Sequence, residues 1–386
     1  MRGARNGFRA LRCPPKHRPD LAMSRAFIYR SLPSDIRFGP GLRHGLADLL
    51  EGAGLSRALV LTTPGQAGLG HQALKILNGL AVGLFDGARM HTPTEVTGRA
   101  LEEAQRLGAD CLVAVGGGST IGLSKAVSVR TGLTQIVVPT TYAGSEVTPI
   151  LGETENGQKV TRRDDAILPR FVVYDPELTY GLPVQISVTS GINALAHAVE
   201  ALYAPDSSPI VGLMAREAIG VMAGALPVIK ADPGHIEARA EALYAAWLCG
   251  TCLGSTTMGL HHKICHVLGG SFDLPHAATH CIMLPHVLAY NSVAARPAYE
   301  QIGAILDTDR PELALFELVA SLDGPLALNA IGMPEAGLDA VVGQLGASPY
   351  ANPAPLVTER LRAMLADAWA GRPPVRDGAP AMRAQK

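Results

Sequence analysis

Beyond Arg57 the chain alternates short unbroken apolar runs with longer stretches in which apolar residues recur at helical spacing. Residues 58–61, 81–85, 111–115, 135–138 and 171–173 are such runs, and each reads as a strand covered on both faces. Between them, residues 94–107 and 120–131 carry the period of a helix. Strands alternating with helices imply an α/β unit, a parallel sheet with helices on both faces, whose ligands sit beyond the carboxyl ends of the strands. Past Asp175-Pro176-Glu177-Leu178 the strand-like runs largely stop. Helical sequence rich in Ala, Leu and Gly covers residues 191–204, 210–225 and 235–253. A histidine-rich helix follows from Leu260, which Gly269-Gly270 is expected to end, and later helices fall near 295–306, 313–322 and 355–370.

A chain of 386 residues exceeds the size at which single cores usually divide, so two domains are expected. The reading is residues 23–180 for the α/β nucleotide-binding domain and 181–370 for an all-α domain. Residues 1–22 are basic and Arg-rich and read as an over-long start ahead of Met23-Ser24, expected to be disordered. Residues 371–386, with three prolines, read as a loose tail.

Composition changes this picture only by exclusion. Hydrophobic content of 47% with 17% charged residues describes a globular chain with a large core. A net charge of −1 argues against nucleic acid or a membrane surface as partner, and the apolar runs are broken well short of a membrane span. The six cysteines are scattered and read as free buried thiols of a reducing, cytoplasmic compartment. Cys249-x-x-Cys252 lies inside a helical run with no second such pair.

The candidate chemistry gathers in two places. Val115-Gly116-Gly117-Gly118-Ser119-Thr120 follows one strand and opens a helix, so backbone can approach a phosphate at the helix N-terminus. Its spacing is neither GxGxxG nor a Walker loop. After the next strand comes PTTYAGSE (139–146), whose Thr140, Thr141 and Ser145 offer hydroxyls to the same ligand. The second place is residues 260–286, which hold six of the twelve histidines. His262 and His266 are four apart and share a helix face, and Leu274-Pro275-His276 returns a third imidazole after a turn. Asn193 and His197 form another pair at the same spacing on an apolar helix, where two polar groups are costly without a shared purpose.

In chain order these are GGGS, PTT-x-AGSE, DPEL, an x-A-L-x-H helix, H-x-x-x-H-x-x-G and PH. The series resembles the iron-containing (group III) alcohol dehydrogenase family over roughly residues 37–370. That resemblance implies a Rossmann-like N-terminal domain, an all-helical C-terminal domain, NAD(P) in the cleft between them and a homodimer. GGGSTIGLSK (116–125), PTTYAGSE and MGLHHK (258–263) look like its maleylacetate reductase branch. Members of that branch reduce the carbon–carbon double bond of maleylacetate with NADH or NADPH, giving 3-oxoadipate in bacterial breakdown of aromatic compounds.

The resemblance also assigns roles. Gly116, Gly117, Gly118, Ser119, Thr120, Thr140, Thr141 and Ser145 would bind the cofactor, and His197, His262, His266 and His276 would be catalytic. Imidazoles from among His197, His262 and His276 would stabilise charge on the ketone oxygen, and His266 or His262 would return a proton. Tyr142, Asn193 and Lys263 would hold the small dicarboxylate substrate. Metal-dependent members have aspartate where this chain has Gly122 and Asn193. An amide oxygen is a much poorer ligand than a carboxylate, and an enone-like substrate needs electrostatic help more than a Lewis acid. The expectation is therefore that no metal is required, with His197, His262 and His276 as ligands if one is bound. The alternatives are a metal-dependent alcohol or polyol dehydrogenase of the same fold, or a non-catalytic nucleotide-binding relative.

Overall fold

The computed structural model describes residues 27–155, 158–347 and 350–376. The basic segment 1–22, with Cys13, and most of the tail lie outside the described residues. The N-terminal half is built on strands β1 (Asp35–Phe38), β2 (Ala58–Leu61), β3 (Ala81–Phe85), β4 (Cys111–Gly116), β5 (Thr134–Pro139), β6 (Ile150–Glu155), β7 (Gln158–Arg163) and β8 (Phe171–Tyr174). Six of them form a parallel sheet in the order β1-β8-β5-β4-β2-β3, and β6 and β7 pair as a separate antiparallel hairpin.

Helices α1 (Leu46–Gly52) and α2 (Ala67–Ile76) cover one face of the sheet, and α3 (Thr94–Leu107) and α4 (Gly118–Thr131) the other. Strand β4 shows why its run is unbroken. Cys111, Val113 and Val115 enter the core under α1 and α2, while Leu112 and Ala114 enter the core under α3 and α4. The sequence pattern did not indicate β1 or the hairpin. Strand β1, DIRF, is a sheet edge and largely exposed, so it carries no apolar run.

The second half is helical: α5 (Val184–Leu202), α6 (Pro209–Ala231), α7 (Ile236–Ser255), α8 (Leu260–Phe272), α9 (His276–Asn291), α10 (Arg296–Ile305), α11 (Pro311–Ser321), α12 (Leu338–Gly346) and α13 (Thr358–Ala370). Helix α5 is the hub, packed by α6, α7 and α9 and apolar nearly all round. Helix α6 is long and apolar enough to cross a membrane by length and composition, a departure from the expectation of short runs. It packs on α5 and α7 and carries Arg216 and Glu217, as a core helix does.

Gly269-Gly270 does not end α8, which runs on to Phe272. The Phe272 ring seats on Gly337, where a Cβ would stand 2.5 Å away, and this packing outweighs the cost of two helical glycines. The chain reverses one residue later, at Asp273 with φ 51°, before Leu274-Pro275. All five described cysteines are free and buried. Burial pushes the Cys252 thiol up to about 12, so the CxxC pair is core material with no reactive thiolate.

Candidate active site

The carboxyl ends of β2, β4 and β5 open on a crevice of about 1620 Å³, closed on the other side by α5, α8 and α9. One wall is mostly backbone. Strand β4 ends at Gly116 and α4 begins at Gly118, with no side chain capping its first turn. A Cβ on Gly117 would stand 2.8 Å from the Thr141 side chain, so only glycine lets this turn lie against the next one. That next loop is held from behind by α7, where Gly250 meets Gly144 so closely that a Cβ would fall 2.0 Å from the Gly144 carbonyl oxygen. Gln66 Nε2 donates to Thr140 Oγ1 at 2.9 Å, and Ser145 Oγ is buried without a hydrogen-bond partner. A turn kept free of Cβ atoms, an uncapped helix N-terminus and an orphaned hydroxyl fit a dinucleotide.

Lys125 lies beneath this loop. Its Nζ meets the carbonyls of Ser145 (2.6 Å), Thr148 (2.8 Å) and Ile150 (2.9 Å) and the Thr148 hydroxyl (2.9 Å). Burial pushes the ammonium down, to about 7. Gly122, the first departure from the metal-dependent pattern, abuts Thr92, where a Cβ would stand 2.4 Å from Oγ1. An aspartate there would displace Thr92, itself held at φ 46°.

The other wall is side chain. Asn193, His197 and Glu200 form one stripe of α5, His262 and His266 project from α8, and His276 and His280 from α9. The buried Glu200 carboxylate accepts from the backbone N–H of His261 (2.8 Å) and His262 (3.4 Å) and from His262 Nδ1 (2.5 Å). It therefore caps the first turn of α8 and orients the imidazole that grows from it. Burial works to raise this carboxyl, but the bond from His262 and the helix N–H groups outweigh it and leave it below its ordinary value.

His262 Nε2 lies 2.8 Å from His197 Nδ1, and His197 Nε2 lies 3.3 Å from the carbonyl oxygen of Ala143. A carbonyl only accepts, so His197 Nε2 carries the hydrogen and its Nδ1 accepts from His262. His262 Nε2 then donates to His197, and its Nδ1 faces the Glu200 carboxylate. His197 stays neutral, because burial and then the neighbouring His262, His276 and His261 hold it far below its ordinary value. Behind this row His261 Nε2 and His280 Nδ1 are 2.8 Å apart, and burial pushes His261 down to about 3. His266 and His276 stack with ring centroids 6.4 Å apart.

As arranged here, His197 and His262 turn their nitrogens on one another and not on a common cation. Two nitrogens on one tetrahedral zinc, each at about 2.05 Å, stand about 3.3 Å apart. His197 Nδ1 and His262 Nε2 are closer, with a hydrogen between them, and Asn193 adds only a neutral amide. His261, Cys265 and His280 also gather within 4.8 Å, but there too the two nitrogens are already hydrogen-bonded to one another.

The expected catalytic set, His197, His262, His266 and His276, comes together along the crevice, with Asn193 beside it. Gly117, Gly118, Ser119, Thr140, Thr141 and Ser145 line the facing wall. Gly116 and Thr120 do not, since Thr120 turns inward and is fully buried against Gly116. Two substrate assignments need correction. Tyr142 is fully buried, its hydroxyl on Arg239 Nη1 at 3.4 Å. Lys263 does not line the crevice, and its Nζ lies 5.9 Å from the centre of the Tyr350 ring. Glu200 and Gln66 were not anticipated. Glu200 sits three residues after His197 on the same helix face, which was a readable signal.

The sequence pattern of iron-containing alcohol dehydrogenases matches residues 33–176, and that of the C-terminal region of the Fe-containing alcohol dehydrogenase family matches 187–369. The chain is 48% identical to a maleylacetate reductase of Burkholderia cepacia over 90% of its length and 98% of that protein. It is 49% identical to one of Sphingobium indicum, over 90% of this chain and 99% of that one. The crystal structure of maleylacetate reductase from Agrobacterium tumefaciens superposes with a TM-score of 0.88 at 50% identity, covering 90% of this chain and 99% of that one. The chain belongs to the iron-containing alcohol dehydrogenase family and, within it, to the maleylacetate reductases.

Proposed function

We propose that this member of the family reduces the carbon–carbon double bond of maleylacetate to give 3-oxoadipate, and that it does so without a metal. The observation that carries the reading is the hydrogen-bonded row Glu200–His262–His197–Ala143, which sets the His262 ring against a carboxylate where the wider family would place a cation. Bound NADH or NADPH supplies the hydride, which goes to the alkene carbon β to the ketone. Negative charge then grows on the ketone oxygen, and the His262 ring, paired with Glu200, stabilises it electrostatically. His197 and His262 already spend their N–H groups within the row, so the hydrogen bond to that oxygen is assigned to His276. His266 returns a proton to the α carbon, which completes the addition of two hydrogens. Asn193, 5% exposed, lines the crevice beside the histidines, and its Nδ2 is the atom that can donate to a substrate oxygen. A homodimer is supported by the open edge of β1, beside exposed Phe27, Ile28 and Phe38.

The test follows NADH oxidation by maleylacetate with chelator-stripped protein. Rapid turnover is expected. Activity that returns only with Zn²⁺ or Fe²⁺ would overturn the metal-free reading, and turnover of simple alcohols alone would favour the polyol dehydrogenase.

A further inference from the structure

A dianionic substrate and a dinucleotide need positive charge, and the lysine and arginine side chains lining the crevice are Arg43, Lys125, Arg162 and Arg163. Glu177 is the sole carboxylate among the described lining residues, and it already binds Arg43 at 2.6 Å, beside Asp175 at 2.7 Å. Lys125 has three N–H donors and four protein acceptors within 2.9 Å, which leaves nothing for a ligand. Arg162 also lines the crevice, but it pairs across the hairpin with Leu151, which is buried against Ala126 and Ile167, so its side chain leaves from the face turned to α4 and not towards the end of α7.

Arg163 is different. It pairs with Ile150 on the other face of the hairpin and lines the crevice. Its Nη2 donates to the carbonyl of Gly254, and among the described residues it has no carboxylate partner. Gly254 lies near the end of α7, just before Thr256, Thr257 and Met258 line the crevice on the way into the histidine helix. The guanidinium is thus tethered on the histidine side of the crevice, with one N–H committed to a neutral acceptor and a planar fork of donors left over.

We propose that Arg163 is a specificity-determining residue that binds the substrate carboxylate remote from the reacting ketone. This assignment rests on the reading of the chain as a reductase of an unsaturated keto-dicarboxylate. The Gly254 carbonyl steers the guanidinium, and the unused N–H groups form a charge-assisted, two-pronged contact with the carboxylate. The hairpin then acts as a reader of substrate length, because it fixes the distance between that contact and the histidine row.

The experiment uses the full-length protein with Arg163→Met and Arg163→Lys. Arg163→Met should raise KM for maleylacetate roughly 10- to 100-fold, with a smaller change in kcat. The dissociation constants of NADH and NADPH, read by quenching of their fluorescence, should stay within about twofold of the parent. Arg163→Lys keeps the charge without the fork and should fall between the two. A second arm titrates adipate, a saturated dicarboxylate of the same length, into the NAD⁺-loaded protein by calorimetry. Arg163→Met should weaken adipate about tenfold or more. Loss of adipate binding in a protein that never turns over maleylacetate would leave the Arg163 site standing and sink the reaction assigned above. Weakened cofactor binding with an unchanged KM would assign Arg163 to a cofactor phosphate and overturn the proposal, as would no change in either arm or a parent protein that binds no dicarboxylate. If Arg163→Met melts well below the parent, Arg163→Lys decides by the same criteria.

Discussion

The two walls of the crevice are built by opposite means. On the sheet side the working groups are N–H groups that every residue carries, and Gly117 matters for the Cβ it lacks, 2.8 Å from Thr141. On the helical side the working groups are imidazoles, and their use depends on where a proton sits. The His262 ring is oriented by Glu200, 62 residues away from it along the chain. The first wall needs only the right turn. The second needs several helices in register and a counter-charge buried with them.

Substitutions that separate the two walls test this contrast, and the largest effect is expected at His262. His262→Ala removes that imidazole and leaves Glu200 capping α8 alone, and kcat should fall by roughly 10³-fold while the dissociation constant of NADH hardly moves. Equal losses in both would mean that the walls are not separable. Gly117→Ala probes the other side. Its Cβ must push Thr141 away, so the NADH dissociation constant should rise about tenfold, with kcat at saturating cofactor largely kept.

A smaller effect separates the helical domain from the sheet by acid. His286 is buried opposite Phe316, its Nε2 without a hydrogen-bond partner, and burial pushes it down to about 4. Its unfolded value is near 6.5. Above that pH both states are neutral and the residue is silent. As pH falls from 6.5 towards 4, the unfolded chain takes up a proton that the folded chain refuses, so stability is lost, by roughly 3 kcal/mol at pH 4. Urea unfolding of His286→Leu should show less acid loss than the parent at pH 4.5 and little difference at pH 7.5. Parallel curves for the two proteins would move the acid sensitivity elsewhere.

Local pattern was a good guide where an apolar run or a helical period is unbroken. Residues 58–61, 81–85 and 94–107 have in the structure the bounds that their periodicity suggests. It was a poor guide to elements that are half solvated, such as β1 and the hairpin, whose polar residues resemble loop. The histidine helix was legible from the spacing of His262 and His266, but its end was not, because Phe272 on Gly337 is a contact between distant segments. The same limit explains Tyr142 and Lys263. Both belong to the right motifs, yet which way a side chain leaves a loop or a helix start is set by what packs there. For Tyr142 that partner is Arg239, 97 residues on.

The sequence by itself determined the order of the elements, the glycine turn at the strand end and the identity of the imidazoles, since these follow from short-range period and residue type. Only the tertiary structure decided that Glu200 holds His262, that Tyr142 is buried on Arg239, and that Arg163 lines the crevice on the carbonyl of Gly254. Protonation and charge compensation depend on burial and on distances of a few ångströms between groups far apart in the chain, and no local pattern records those.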